Sequence, residues 1–124
     1  MKNIINTKNA PAAIGSYSQA VKTGDTLYIS GQIPLNLDGE LVMDSIKAQT
    51  EQVLKNMKAI LNEAGGDFEN VVKATVYTDD ISLFAEINEV YGQYFAENPP
   101  ARAFVEVAAL PKGVNVEIEA IAVI

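Results

Sequence analysis

The final stretch of the chain, residues 114–124, restricts the fold more than any other part of the sequence. Every second residue in it is apolar, and this set consists of Val114, Val116, Ile118, Ala120, Ala122 and Ile124. Such alternation is typical of a β-strand that lies with one face on a hydrophobic core. The intervening residues turn from polar to apolar, in the order Asn115, Glu117, Glu119, Ile121 and Val123. We therefore predict a strand whose second face is also covered, because aliphatic side chains would otherwise meet water.

Apolar periodicity also predicts two helices. In residues 44–64 apolar side chains recur every three or four positions, and Gly65 and Gly66 end the pattern. A second stripe of this kind runs through residues 82–95, and Pro99 and Pro100 prevent the helix from continuing. Both segments are predicted to be amphipathic helices that pack one face on the core.

Further strands are predicted at residues 18–22, 26–30, 70–78 and 102–107. By alternation, Val72, Ala74 and Val76 share one face of their strand. We also expect residues 102–107 and 114–124 to pair with each other around a turn at 110–113. The resulting order is two strands, helix, strand, helix, two strands. It predicts an α+β fold, a mixed α/β sheet with both helices packed on one face.

Size and composition fit a single domain, 1–124. The chain has 124 residues, of which 48% are hydrophobic, and this is enough to form one core. Two helices cover only one face of the predicted sheet. We therefore expect another copy of the chain to cover the other face in a homo-oligomer.

Charge and residue usage exclude several classes of function. The net charge is −7 and the lysines are scattered, so we expect no nucleic-acid partner. The chain has no cysteine for thiolate chemistry and no histidine to act as a general base or metal ligand. No apolar stretch approaches the length of a membrane span and no signal peptide is recognisable, so we expect a soluble, cytoplasmic protein with no membrane partner.

Arg102 is the only arginine of the chain, and it follows the double proline at the start of a predicted strand. A guanidinium in this place is well suited to bind a small carboxylate through two parallel hydrogen bonds. The alternative is a structural arginine that pairs with Glu117 or Glu119. Alternation predicts that Arg102, Phe104 and Glu106 share the second face of the sheet with Glu119, whereas residues 103, 105 and 107 face the helices.

Four other polar residues are candidates for a site. Glu119 could position or deprotonate a water molecule if burial raised its pKa, although such a glutamate is more often an ion-pair partner. Tyr17 and Ser30 offer hydroxyl groups, and without histidine Ser30 is a hydrogen-bond donor at best. Asn88 is interpreted as helix surface unless a neighbouring subunit reaches it.

Several motifs give the chain a family resemblance. These are Ala13-Ile14-Gly15-Ser16-Tyr17-Ser18-Gln19-Ala20, Leu27-Tyr28-Ile29-Ser30-Gly31-Gln32-Ile33, Pro100-Ala101-Arg102, Val105-Glu106-Val107, Leu110-Pro111 and Val116-Glu117-Ile118-Glu119-Ala120. In their residues and order they resemble the reactive intermediate deaminase family, known as Rid or YjgF. The resemblance spans essentially the whole chain.

The resemblance implies a chorismate-mutase-like fold and a homotrimer with three clefts between subunits. The implied activity is hydrolysis of enamines and imines such as 2-aminoacrylate or 2-aminocrotonate to 2-keto acids and ammonia, without a cofactor or metal. This is the activity of a 2-iminobutanoate/2-iminopropanoate deaminase, a hydrolase acting on C–N bonds. By motif, Arg102 is expected to bind the substrate carboxylate and Glu119 to activate the attacking water. Tyr17, Ser30 and Asn88 are expected to line the cleft.

The chain departs from the family pattern at Ser16, Ala103 and Phe104. Phe104 lies on the Arg102 side by alternation, so it could narrow the pocket and alter substrate selectivity. An alternative function is therefore a binding module that senses or sequesters a keto acid on the same trimer. A nuclease role is disfavoured by the net charge and the absence of histidine.

Overall fold

The computed structural model describes all residues, 1–124. The strands are β1 (Lys2–Ile5), β2 (Ala20–Thr23), β3 (Thr26–Gln32), β4 (Val71–Thr78), β5 (Ala101–Glu106) and β6 (Val116–Val123). The helices are α1 (Ile46–Glu63) and α2 (Phe84–Tyr94). Short 3-10 turns at Phe68–Asn70, Ile81–Leu83 and Pro111–Gly113 precede β4, α2 and β6. Neither α-helix is long and apolar enough to cross a membrane.

The six strands form one sheet in the order β1-β2-β3-β6-β4-β5, in which only β4 and β5 are parallel neighbours. One core cluster joins both helices to the sheet, with Leu54, Ile87 and Ile118 among its fully buried members. The predicted α+β sheet with both helices on one face is confirmed. The expected pairing of the last two strands was wrong, because β4 lies between them, and β1 was not predicted.

The first helix begins and ends where the sequence indicated. Oγ of Ser45 accepts a hydrogen bond from the backbone N–H of Ala48 at 3.0 Å, which caps the N-terminus. At the other end Gly65 adopts the left-handed conformation, at φ 93°, that glycine tolerates without strain. The buried stripe between them packs against β3 and β6. This helix therefore holds the two strands that carry most of the candidate site.

The core face of β6 is as predicted, but the start of β4 is not. Val116, Ile118 and Ala122 are fully buried. In β4 the register with β6 shifts between Val71 and Lys73, so Val71 is buried and Val72 is 48% exposed. The bulge inserts an extra residue and thereby removes Val72 from the face of Ala74 and Val76.

The prediction for the faces of β5 was wrong. The parallel register aligns Arg102 with Ala74 and Phe104 with Val76, and these β4 partners are fully buried beneath the helices. Arg102, Phe104 and Glu106 therefore lie on the helix face. The physical reason is aromatic packing, because the ring centre of Phe104 lies 4.7 Å from the ring centre of Phe84 in α2. Arg102 and Glu119 do not share a face.

The other side of the sheet, here called the open face, has no helix over it. It carries Tyr28, Thr75, Tyr77, Val105, Glu117, Glu119, Ile121 and Val123. In the single chain Tyr28 is 50%, Val105 40% and Val123 47% exposed. Apolar side chains exposed side by side on a sheet usually mark an interaction surface. The open face is therefore the surface on which another copy of the chain is expected.

Candidate functional site

A cavity of about 570 Å³ lies beside the ends of β3 and β6. Its wall is formed by residues 11–14 with Tyr17, by residues 30–33, and by Pro111, Lys112 and Glu117. Lys112 and Glu117 are the only charged residues in the lining. The cavity thus combines an apolar wall with a few polar groups, as small-molecule sites commonly do.

Two of the predicted site residues, Tyr17 and Ser30, line this cavity. Oγ of Ser30 donates a hydrogen bond to the carbonyl oxygen of Ser18 at 2.6 Å. Its proton is therefore engaged, so the Ser30 oxygen is available to a ligand as an acceptor and not as the donor expected from the sequence. The phenol oxygen of Tyr17 accepts from the backbone N–H of Ile14 at 3.2 Å, which leaves its own proton free to donate.

Gln19 holds the segment that forms the apolar wall. Its Oε1 accepts from the backbone N–H of Thr7 at 2.7 Å, and its Nε2 donates to the carbonyl oxygens of Thr7 at 3.1 Å and Pro11 at 2.9 Å. Gln19 is only 3% exposed, so water cannot replace these bonds. This residue was not predicted from the sequence, because an isolated glutamine before a strand carries no signal of its burial.

Glu117 supplies the only carboxylate of the cavity, although the sequence indicated it only as a partner for Arg102. Its side chain lies directly over Gly31, where an added Cβ would be 2.0 Å from Oε2 of Glu117. Burial raises the pKa of Glu117 above its ordinary value, and the negative charge of Glu119 raises this pKa further. A carboxyl group with a raised pKa can exchange protons with a bound ligand more readily than an exposed carboxyl group can.

Glu119 lies on the open face and is not part of the cavity lining. Its Oε1 accepts a 2.6 Å hydrogen bond from the hydroxyl group of Tyr77, and this bond raises the pKa of Tyr77. Glu119 is therefore held by a neighbouring strand, two residues along β6 from Glu117. No three acidic side chains come close enough to hold a metal ion.

Arg102 and Asn88 form a second group at the free edge of the sheet. Nη1 of Arg102 donates to Oδ1 of Asn88 at 2.7 Å. The guanidinium carbon lies 4.8 Å from the ring centre of Tyr91, with the rings of Phe84 and Phe104 within 6 Å as well. The chain's two salt bridges are Lys47–Glu89 and Lys58–Asp67. Pairing of Arg102 with Glu117 or Glu119 therefore does not occur within the chain.

Phe104 lies beside Arg102, as alternation indicated, but it does not line the cavity of Glu117. Its ring is half-buried against Phe84 and against the core. Within one chain Phe104 therefore supports the arginine instead of narrowing the cavity.

The structure separates the candidate residues into a cavity group and an edge group. The cavity group contains Tyr17, Ser30 and Glu117, and the edge group contains Asn88 and Arg102. Because β4 lies between them, β5 and β6 are about 10 Å apart. Arg102 and Glu117 also point to opposite faces of the sheet. A small ligand of about 5 Å in length therefore cannot contact both groups of one chain.

Comparisons with known proteins cover nearly the whole chain. The model of the family described as endoribonuclease L-PSP matches residues 7–124. A RutC family protein of Pyrococcus horikoshii is 56% identical over 123 residues, which cover 98% of each chain. The 2-iminobutanoate/2-iminopropanoate deaminase of Homo sapiens is 52% identical over 124 residues, which cover 99% of this chain and 90% of the human one. A solved Rid family structure from Yersinia pestis matches all of both chains with a TM-score of 0.97 at 50% identity.

Proposed function

Because this chain belongs to the endoribonuclease L-PSP family, which includes the YjgF and Rid proteins, we propose that it hydrolyses reactive enamines and imines to 2-keto acids and ammonia. The observation that carries the proposal is the half-buried Glu117, with its raised pKa, in a cavity that also offers the hydroxyl groups of Tyr17 and Ser30. The relatives named 2-iminobutanoate/2-iminopropanoate deaminase support three- and four-carbon substrates.

The complete site requires two subunits of a homotrimer. The edge group of one subunit would meet the cavity group of its neighbour when the open faces are covered. Three observations support this arrangement: the separation of Arg102 from Glu117, their opposite faces, and the exposed apolar residues of the open face. A closed ring of three copies would place three identical clefts at the three seams.

Arg102 would bind the substrate carboxylate. Its planar guanidinium can give two parallel hydrogen bonds to a carboxylate, and the bond to Asn88 uses only one of its five N–H groups. The surrounding aromatic rings restrict its side-chain freedom, so less entropy is lost when the ligand binds. This positioning fixes the imine carbon relative to the cavity of the neighbouring subunit.

Glu117 would act first as a base and then as an acid. It accepts a proton from the water that attacks the imine carbon, and a carbon–oxygen bond forms as the C=N double bond becomes single. In the iminium form of the substrate, the protonated carboxyl group then donates to the nitrogen and the C–N bond breaks, so that ammonia leaves. The new hydroxyl group gives its proton to the Glu117 carboxylate and its oxygen becomes the keto oxygen, and the carboxyl group then releases this proton to the solvent. Such acid–base help contributes about 10²–10⁴-fold, which suffices for an intrinsically reactive imine.

We assign Glu119 a different part from the one that the sequence indicated. Tyr77 engages it outside the cavity, so we assign the water-activating role to Glu117. The charge of Glu119 raises the pKa of Glu117, which makes the Glu117 carboxylate a stronger base. The acceptor oxygen of Ser30 suits the N–H of an iminium ion, and the phenol of Tyr17 suits an oxygen of the substrate or of the attacking water.

Two other functions remain as outcomes of the test. A keto-acid binding module would bind the product without accelerating imine decay. An RNA-cleaving activity, which the family's description raises, is disfavoured because the chain has a net charge of −7 and no histidine. The cytoplasmic location stays a prediction.

The experiment generates 2-aminoacrylate from L-serine with a pyridoxal-phosphate-dependent dehydratase and follows imine decay and pyruvate formation. Wild type is expected to accelerate both, whereas Glu117→Gln retains binding of 2-oxobutanoate and loses the acceleration. Glu69→Gln, on an exposed turn, removes the same charge and serves as the matched control. Keto-acid binding without acceleration by wild type would identify the binding module instead.

A further inference from the structure

Lys112 has an unusual backbone conformation. It is one of two non-glycine residues with positive φ, at φ 57° and ψ 18°, in the 3-10 turn before β6. The left-handed conformation is unfavourable for a lysine, while glycine and asparagine adopt it more easily. Backbone strain of this kind is found mainly at functional sites, where the side chain has a role that outweighs the cost of the unfavourable backbone conformation.

Lys112 lies in the wall of the cavity, where its side chain can contact a ligand. Of the fourteen residues that line the cavity, it is the only cation, and Glu117 is the only anion. Lys112 takes part in neither of the chain's two salt bridges. Its positive charge is therefore available to a ligand.

The cavity also needs a positive charge. The chain carries a net charge of −7, and Glu117 and Glu119 lie on the same face of β6, so an anion that approaches meets a negative potential. Arg102 of the same chain is at the far edge of the sheet and faces the other side. Lys112 is thus the only cation that the chain brings to its own cavity wall.

We propose that Lys112 is a second anion-binding residue of the site, which draws small 2-imino and 2-keto monocarboxylates into the cavity beside Glu117. The guanidinium of the neighbouring subunit then fixes the carboxylate for reaction. This inference rests on the proposed function, and it adds to that function a residue that governs substrate capture. A capture residue acts mainly on kcat/KM and in a salt-dependent way.

The test uses variants that suit the turn. Lys112→Gly and Lys112→Asn remove the charge and tolerate positive φ, and Lys112→Arg keeps the charge. Lys55→Gln, an exposed helix lysine without an ion pair, is the control for net charge. The measurements are kcat and KM with 2-aminoacrylate, Kd for 2-oxobutanoate by calorimetry, and Tm, at about 20 mM and about 500 mM salt.

We expect kcat/KM of Lys112→Gly and Lys112→Asn to fall roughly three- to tenfold at low salt, with little change in kcat and no fall in Tm. The Kd for 2-oxobutanoate should rise by a similar factor, and both differences should shrink at high salt. Lys112→Arg should behave like wild type.

Three results would overturn the inference: values equal to those of Lys55→Gln at low salt, an equal loss in Lys112→Arg, or a loss that is independent of salt. Wild type that binds 2-oxobutanoate but does not accelerate imine decay would contradict the proposed function alone. The calorimetric comparison would still decide the role of Lys112. Wild type that does not bind the keto acid would contradict both.

Discussion

The guanidinium of Arg102 and the side-chain amide of Asn88 form a 2.7 Å hydrogen bond between β5 and α2. This bond, together with the ring of Tyr91 beneath the guanidinium, orients the only arginine of the chain at the free edge of the sheet. The edge strand therefore presents a pre-oriented guanidinium group to whatever packs beside it.

Arg102→Lys is expected to raise KM for the imine roughly tenfold to hundredfold while kcat changes less. A lysine keeps the charge but loses the planar fork and the stacking on aromatic rings. Steady-state kinetics and the Kd for 2-oxobutanoate check this. Unchanged Kd would show that the arginine is structural.

Asn88→Asp is expected to weaken ligand binding even though it strengthens the contact with Arg102. The new carboxylate would occupy and neutralise the guanidinium, so the ligand carboxylate would have to compete with it. Asn88→Ala, which only removes the hydrogen bond, should have a smaller effect on Kd. Equal effects of the two substitutions would contradict a carboxylate site at Arg102.

Gly31→Ala is expected to lower activity strongly while changing stability little. The new methyl group would lie 2.0 Å from Oε2 of Glu117, and the flexible end of that side chain can move away at little cost in folding free energy. We expect Tm to change by a few degrees at most and kcat to fall about a hundredfold, because the carboxylate leaves its working position.

A double-substitution cycle is the control for Gly31→Ala. If Gly31 acts only through Glu117, then Gly31→Ala adds no further loss of kcat to Glu117→Gln. Additive losses would show that Gly31 affects the reaction by another route.

Glu119→Gln is expected to shift the pH dependence of kcat/KM. Burial and the charge of Glu119 both raise the pKa of Glu117, so removal of that charge moves this pKa back toward its ordinary value. As a base, Glu117 must be ionised, and the acid limb of the profile should therefore move to lower pH. Glu69→Gln should leave the acid limb in place. An unmoved acid limb in Glu119→Gln would show that the ionisation of Glu117 does not produce this limb.

Glu117→Gln is expected to stabilise the folded protein at neutral pH. A carboxyl group whose pKa is raised in the folded state contributes stability while protonated, and this contribution is lost as pH rises through the folded-state pKa. The Tm of the variant should therefore exceed that of wild type near pH 7 and approach it in acid. If the variant were less stable than wild type at neutral pH, this would contradict the claim that folding desolvates the Glu117 carboxylate.

Val105→Glu is expected to dissociate the oligomer, because it would bury an unpaired charge on the open face. Three chains of 13.3 kDa give a particle of about 40 kDa, which light scattering can distinguish from one chain. Leu37→Glu, at an exposed position outside the strands that form the open face, should leave the mass unchanged. A wild-type mass of one chain would refute the two-subunit site.

Sequence periodicity predicted the elements in which apolar residues recur at regular spacing along one face. The helix α1 and the core face of β6 belong to this group. The faces of β5 could not be predicted, because its apolar residues occur at both odd and even positions. The packing of Phe104 on α2 determines which of the two sets faces the helices. Periodicity also cannot show a bulge, and for that reason Val72 was placed on the wrong face.

The candidate site was predictable in its residue types but not in its arrangement. Glu117 and Glu119 share one face of β6, so alternation treats them alike. They are distinguished by the register shift in β3 between Ile29 and Gln32 and by the position of Gly31 beneath the Glu117 side chain. These features depend on tertiary packing and have no local sequence signal.

Complementation between Arg102→Ala and Glu117→Gln subunits tests the two-subunit site most directly. Each variant alone should be inactive, and the two are mixed in equal amounts after dissociation and reassembly. In a trimer with sites at the seams, each mixed particle regains one intact cleft, so about a quarter of the wild-type activity should return. If both residues acted within one chain, every cleft would lack one of them. Mixed trimers that remain inactive would therefore contradict the account.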